Sequence, residues 1–227
     1  TGASLADVMR YVERLAARKT PIIVHTNADR CAVNTAARAV AGRDGAADTW
    51  PAVGDPIIVV KNCYEAGVVN GESGEVIEWL DAEARGATAR LTYGTFTAHV
   101  RRARVRFADG EVFVALVREA FGAARIESQT GLLRAAYAAI GTWATTEDWP
   151  MGEKPVSPIL ADYGWSYTCH KMQGNESPQV FVYAGETLGR GREEDRRWLY
   201  TAVTRARESL WLLTHARVGR WLGRGRA

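Results

Sequence analysis

The stretch WSYTCHKMQGNESPQVFVYA, residues 165–184, decides the fold. Two strand-like runs, WSYT (165–168) and QVFVYA (179–184), flank a turn crowded with a thiol, an imidazole, an ammonium, amides and a carboxylate. A strand that delivers the chain to the carboxyl edge of a parallel sheet places such a turn where open α/β sheets bind their ligands. Thr168 offers a hydroxyl, His170 an imidazole and Lys171 a charge, all suited to phosphate contact. Gly174 lets the backbone turn tightly or approach a ligand. Glu176 can accept from a ribose hydroxyl or hold a neighbouring arginine.

Working outward, the same alternation of strand and helix recurs at both ends of the chain. Residues 4–17 read as an amphipathic helix, opened by the capping-box pattern of Ser4 and Asp7 and ended before Pro21. IIVHT (22–26) is a short buried strand. NADRCAVNTAARAVAG (27–42) follows as an Ala-rich helix, with Asn27 as its N-cap and Gly42 as its stop. Near the other end, EEDRRWLYTAVTRARES (193–209) reads as a helix and LWLLT (210–214) as a last buried strand. This is α/β architecture.

The middle differs. From about residue 53 to 117 the runs GDPIIVVKN, GEVIEWL and HVRRARVRF are β-like, and Asp109-Gly110 is a hairpin signal. Residues 118–150 are Ala-rich and helical around GLLRAAYAAIG. In HVRRARVRF (99–107), Arg102, Arg104 and Arg106 share one strand face by period-two alternation. Their spacing of roughly 6.6 Å, from about 3.3 Å per residue, is near that of phosphates on an extended single strand. The simpler reading is the solvated outer face of a small barrel.

Composition sets bounds. With 227 residues, 47% hydrophobic and 24% charged, the chain has room for one large or two small globular domains. No apolar run is long enough to span a bilayer, and TGASLADVMR at the start lacks the pattern of a signal peptide. The absence of an initiator Met fits a piece of a longer chain. Three scattered cysteines and four scattered histidines suggest neither a disulfide framework nor a metal site. The net charge of +3 is too small to argue for nucleic acid by itself.

The segment DYGWSYTCHKMQGNE, an apolar strand, and then RRWLYTAVTRARESLWLL together resemble the C-terminal motifs of superfamily-one helicases, in the RecD-like or Dda-like branch. Tyr167, Thr168, His170, Lys171, Gln173, Gly174 and Glu176 fall on the first motif, and Tyr200, Thr201, Ala202, Thr204, Arg205 and Ala206 on the second. IIVHTNADRCAVNTAAR and GDPIIVVKNCYEAGVVNGESGEV resemble two motifs that precede these in the family, in the same order. Ser166, Asn175 and Ser177-Pro178 depart from the usual pattern.

The resemblance implies the second RecA-like motor domain of a UvrD-like, ATP-dependent DNA helicase moving 5′ to 3′ on single-stranded DNA. Its fold would be a RecA-like parallel sheet with an inserted small antiparallel β-barrel-like domain. The corresponding division is 1–84 for the first part of the motor domain, 85–158 for the insert and 159–227 for the remainder. Carried over residue by residue, Arg205 would be the arginine finger, and Gln173, Gly174 and Glu176 would line the ATP cleft. Thr26, Asn27, Thr168, His170 and Lys171 would contact DNA, joined by Arg102 and Arg104 of the insert. Arg30, read as an exposed helical residue, is a weaker candidate. The cofactors implied are ATP and Mg²⁺, and the compartment the cytoplasm of a bacterial or phage-infected cell.

No phosphate-cradling GxxxxGK[ST] loop occurs in the chain. The partner implied is therefore an N-terminal RecA-like domain of the same polypeptide, which would also hold Mg²⁺. Two other classes stay open. One is a motor-less DNA-binding or regulatory module. The other is an unrelated α/β enzyme with Cys169 as nucleophile and His170 as base, a pair that adjacent positions on a strand end aim apart. Arg205 alone would also suit a helix C-terminus, where its charge complements the macrodipole by about 0.3–1 kcal/mol.

Overall fold

The computed structural model describes residues 4–42, 50–80, 89–93, 96–122, 129–144, 157–172, 175–185, 188 and 192–214. The chain opens with α1 (Leu5–Ala17), β1 (Ile22–Val24) and α2 (Asn27–Val40). There follow β2 (Pro56–Val59), β3 (Ser73–Trp79), β4 (Ala89–Tyr93), β5 (Phe96–Phe107), β6 (Gly110–Val117) and α3 (Gln129–Ala144). It closes with β7 (Pro158–Ile159), β8 (Ala161–Tyr163), β9 (Ser166–Thr168), β10 (Ser177–Ala184), α4 (Glu193–Val203) and β11 (Ala206–Thr214). Two compact units result, residues 1–45 with 165–227, and residues 46–164.

The first unit is built on a four-stranded sheet in the order β11-β10-β1-β9, with every ladder parallel. Ile22, Ile23 and Val24 are fully buried, as a strand with parallel neighbours on both sides requires. The capping box at the head of α1 forms: Ser4 donates to the Asp7 carboxylate from its backbone N–H (2.7 Å) and its hydroxyl (2.9 Å). Val8, Val12 and Leu15 then make the buried stripe of the helix. Past its end, Lys19 takes the left-handed conformation (φ 51°) that glycine usually supplies, and Thr20 N–H closes on the Leu15 carbonyl at 2.9 Å.

Two local expectations are corrected. Thr26, not Asn27, caps α2: its backbone is extended and its hydroxyl accepts from Asp29 N–H at 3.0 Å. Asn27 is the first helical residue. The last helix also stops earlier than its sequence pattern. α4 ends at Val203, because Ala206 pairs with Ser177 and begins a strand that continues to Thr214. Residues 206–209 are therefore strand, and Arg205 lies in the turn between. Gly42 does end α2, at φ 72°.

The second unit carries a seven-stranded sheet with the path β7-β6-β5-β3-β2-β8, with β4 pairing β5 to one side. Its ladders are antiparallel except β6–β7, which is parallel. β7 and β8 are joined through the single residue Leu160, so both ends of the path lie in one extended stretch. Asp109-Gly110 makes the expected hairpin: Phe107 pairs with Gly110, which sits at φ 138°. β2 and β3 belong to this sheet, so the division expected at residues 84/85 falls inside the unit. The reason is register: Val76 and Trp79 of β3 pair with Val105 and Ala103 of β5.

Gly164, at the end of β8, donates to the Pro56 carbonyl at 2.8 Å, and a Cβ there would stand 2.9 Å from the Ile57 backbone. Neither strand can yield without breaking its ladder. Gly164→Ala is expected to destabilise the protein by about 1–3 kcal/mol, read as a lower urea midpoint with unchanged slope.

Candidate functional site

The candidate residues of the first unit fall into two groups. The first lies at the carboxyl ends of β1 and β9, whose residues Val24 and Thr168 are in register. There Thr26 and Asn27 start α2, and Thr168 leads into a 3-10 turn, Cys169–Met172. The Thr26 hydroxyl is occupied in capping, and Asn27 is exposed. His170 is exposed and Lys171 half-buried.

Arg30 is the surprise in this group. Expected as an exposed helical residue, it is only 2% exposed. Its Nε donates to Asn27 Oδ1 at 3.3 Å, and a terminal nitrogen contacts Cys31 Sγ at 3.7 Å. The Arg30 backbone carbonyl accepts from the Ser166 hydroxyl at 3.4 Å, while Ser166 N–H donates to Asn34 Oδ1 at 2.9 Å. These bonds fix α2 to β9, so the Arg30 side chain is carried to the strand ends on a rigid mount. Sequence periodicity marked its helix but not which turn faces the sheet.

Burial and the neighbouring Arg30 charge together push the Lys171 ammonium down to about 8. Burial also lowers Arg30. Two desolvated like charges side by side repel one another, and an anion seated on them would relieve both costs. The arrangement can thus bind phosphate chemically, with the exposed His170 and Asn27 on its rim.

The second group lies at the opposite end of the strands. Ile22 is in register with Phe181, so Ser177 at the start of β10 lies roughly 20 Å along the strand direction from the level of Thr168, at about 3.3 Å per residue. Arg205 is held here. Its Nε donates to the Thr201 carbonyl (3.0 Å), and its terminal nitrogens donate to the Asn175 carbonyl (3.4 Å) and the Thr204 hydroxyl (3.2 Å). The Arg205 carbonyl accepts from Ser177 N–H at 2.9 Å. A guanidinium has five N–H donors, so these bonds leave donors over. Glu176 is exposed beside it. Gln173 and Gly174 lie outside the described residues.

Residues 169–176 join the two groups. Cys169 Sγ donates to the Trp198 carbonyl of α4 at 3.6 Å, and Asn175 meets Arg205 just past the end of that helix. One segment is therefore strapped to one helix at both its ends. Near its start, the His25 ring stands edge-on to Trp198, with centroids 5.3 Å apart. Burial lowers His25, against the raising influence of Asp195 and Asp29.

Arg102 and Arg104 belong to the other unit. The continuous β5–β6 register keeps Arg102, Arg104 and Arg106 on one face, as alternation requires. Arg104 pairs with Glu78 (2.6 Å) and Glu111 (3.5 Å), and Arg106 with Glu111 (3.0 Å). These carboxylates offset the charge that the sequence suggested for phosphates.

The Cys169–His170 enzyme is overturned. The thiol is buried, which raises it to about 11, with Arg205 only partly opposing, while His170 points out to solvent. Among the described residues, no three His, Cys, Asp or Glu side chains assemble for a metal, and no helix is long and apolar enough to cross a membrane.

Residues 163–213 match the UvrD-like helicase C-terminal domain family. The match spans the 3-10 turn, β10, α4 and most of β11, and so both groups' residues on these elements. No curated protein matches the chain in sequence. Solved structures similar to it include a Bacteroides Pif1 helicase in complex with ADP-AlF3 and ssDNA, at 15% identity over 92% of this chain and 48% of that one, with a TM-score of 0.46. Another is Bacteroides Pif1 bound to ssDNA, at 15% identity, 91% and 48% coverage and a TM-score of 0.45. A third is Pif1 from Candida albicans, at 15% identity, 97% and 57% coverage and a TM-score of 0.42. The chain spans about half the length of these helicases.

Two outcomes follow from these shifts. Lys171 ionises at about 8 in the folded protein and near 10.4 when unfolded. Below pH 8 both states are protonated and folding bears the full cost of the buried charge. Between about pH 8 and 10.4 the folded state sheds its proton first, so stability rises. Lys171→Met should therefore stabilise by about 1–3 kcal/mol at pH 7, and the gain should vanish near pH 10.4 in urea titrations. Cys169 should react with iodoacetamide far more slowly than the half-buried Cys31 at pH 7.5, as followed by peptide mass spectrometry.

Proposed function

We propose that this chain is the second RecA-like motor portion of an ATP-dependent DNA helicase of the RecD-like or Dda-like branch, moving 5′ to 3′ on single-stranded DNA. The observation that carries the reading is the pair of desolvated cations, Arg30 on α2 and Lys171 on the turn after β9, the latter on a segment that also reaches Arg205. The family match over residues 163–213 supports it. In this reading Lys171, Arg30, His170, Thr168, Thr26 and Asn27 hold the phosphates of a single strand at the carboxyl ends of β1 and β9. Arg205, with Glu176, Gln173 and Gly174, faces the nucleotide.

ATP with Mg²⁺ would supply the phosphoryl group, held by an N-terminal RecA-like domain of the same polypeptide. Arg205 would neutralise charge on the transferring phosphoryl through the N–H donors left by its internal bonds. The segment from Cys169 to Asn175 gives a short link between the two ends: a shift of Arg205 draws on Asn175, which stands four positions after Lys171. Arg102 of the insert adds a further DNA contact, with Arg104 contributing once Glu78 and Glu111 are displaced.

A second reading keeps one observation of its own. Arg205 is tied to the carbonyl end of α4, which suits a purely structural cap in a DNA-binding or regulatory module without motor activity. The polypeptide that includes the N-terminal domain separates the two. Arg205→Ala should lower DNA-stimulated ATP hydrolysis by roughly 10³-fold or more while oligo-dT affinity stays within a few-fold. Lys171→Ala should weaken oligo-dT binding and lower the slope of log affinity against log salt by about 0.7. Unchanged hydrolysis in Arg205→Ala would leave the module reading, and an unchanged salt slope in Lys171→Ala would remove the DNA role of the carboxyl-end cluster.

A further inference from the structure

The first unit carries a second feature that neither the strand-end cluster nor Arg205 uses. A pocket of about 260 Å³ lies between α1 and the rows of β10 and β11. In β10 and β11, Phe181 is in register with Trp211 and Tyr183 with Leu213, so these four share one face of the sheet. Tyr11 of α1 stacks at a tilt on Phe181, with centroids 5.7 Å apart. Tyr11, Arg14, Leu15 and Arg18 follow the i, i+3, i+4, i+7 pattern, which is one stripe of the helix. Leu15 forms the floor, while Tyr11 and Trp211 remain 43% and 39% exposed, a contiguous aromatic lip.

We infer that this pocket is a docking site for an acidic peptide segment of a partner protein, one that inserts an aromatic or branched side chain and sets carboxylates on Arg14 and Arg18. The size favours it. Pockets for whole small molecules run from roughly 300 to 1,000 Å³, so this one takes a side chain or two. The charge favours it as well. Asp7, the acid on the same helix face, is already bound by Ser4 and by Arg10 at 3.4 Å. A nucleic-acid strand fits less well, because its track needs cations repeated along a groove, and here two cations flank one half-open, mostly apolar hollow. β11 is also the end strand of its sheet, and its outer edge has no ladder partner among the described residues, so a peptide backbone can align there.

The test uses the 227-residue chain and a fluorescein-labelled ten-residue peptide of glutamates around a central Phe-Leu. Its control has every glutamate replaced by lysine. The expected result is saturable anisotropy with the acidic peptide and none with the control, together with a change in Trp211 emission that is lost in Trp211→Phe. The double variant Arg14→Glu/Arg18→Glu should weaken the peptide by about tenfold or more, as reversal of two rim charges does, while Arg14→Lys/Arg18→Lys retains binding. Both positions are exposed, and circular dichroism is to check that each variant folds. Oligo-dT affinity should be the same in wild type and in the reversed variant, which keeps this site separate from the DNA reading. Absence of peptide binding, binding indifferent to charge reversal, or displacement of the peptide by oligo-dT would each overturn the inference.

Discussion

The first unit depends on three residues. Ile22, Ile23 and Val24 are the whole of β1, yet they hold β9 on one side and β10 on the other in parallel register. The partners lie more than 140 positions later in the chain, so the sheet forms only after residues 46–164 have left and returned. Closing so long a loop costs little more than closing a shorter one, because the entropy grows only with the logarithm of its length. What the constraint demands is side chains that are comfortable with neighbours on both faces and both edges. Three consecutive β-branched apolar residues meet it, and the backbone N–H of Ile22 is satisfied by Trp165 at the point of return.

From that ladder the placement of the chemistry follows. Because β1, β9 and β10 are parallel, the connection from β9 to β10 has to travel the length of the sheet. Residues 169–176 therefore join opposite ends of the strands, and α4, running back alongside, gives them a surface to lie on. The polar crowding of that segment has a topological cause as well as a chemical one. The polar groups of this crossing segment need partners, and Trp198 and Arg205 are among them.

Much of this was legible beforehand. Strand, turn and helix around residues 22–42, the hairpin at Asp109-Gly110 and the paired motifs around His170 and Arg205 all carry strong local signals. What periodicity could not rank was the competition between neighbours. Thr26 and Asn27 are both good caps, and the extended backbone of Thr26 decides between them. Arg30 looks like any surface arginine until α2 is oriented by the bond that Asn34 Oδ1 accepts from Ser166 N–H. The helical pattern continues through Ser209, but pairing with β10 takes over at Ala206. Membership of β2 and β3 in the second sheet is a matter of register with strands still to come. The densest run of arginines was also the least informative, since Glu78 and Glu111 sit across the strands from it, while Arg30 and Lys171, far apart in sequence, act on one another at the strand ends.

The single-residue joint at Leu160 has a bearing on solubility. An unpaired strand edge is a template for another chain, and β-rich folds must blunt it. By serving β6 with its first half and β2 with its second, the stretch 158–163 occupies the two margins that a flat sheet of this length would present to solvent. A change that straightened or lengthened this joint would not need to touch any polar site to do harm, because it would release both margins at once and invite like molecules to stack.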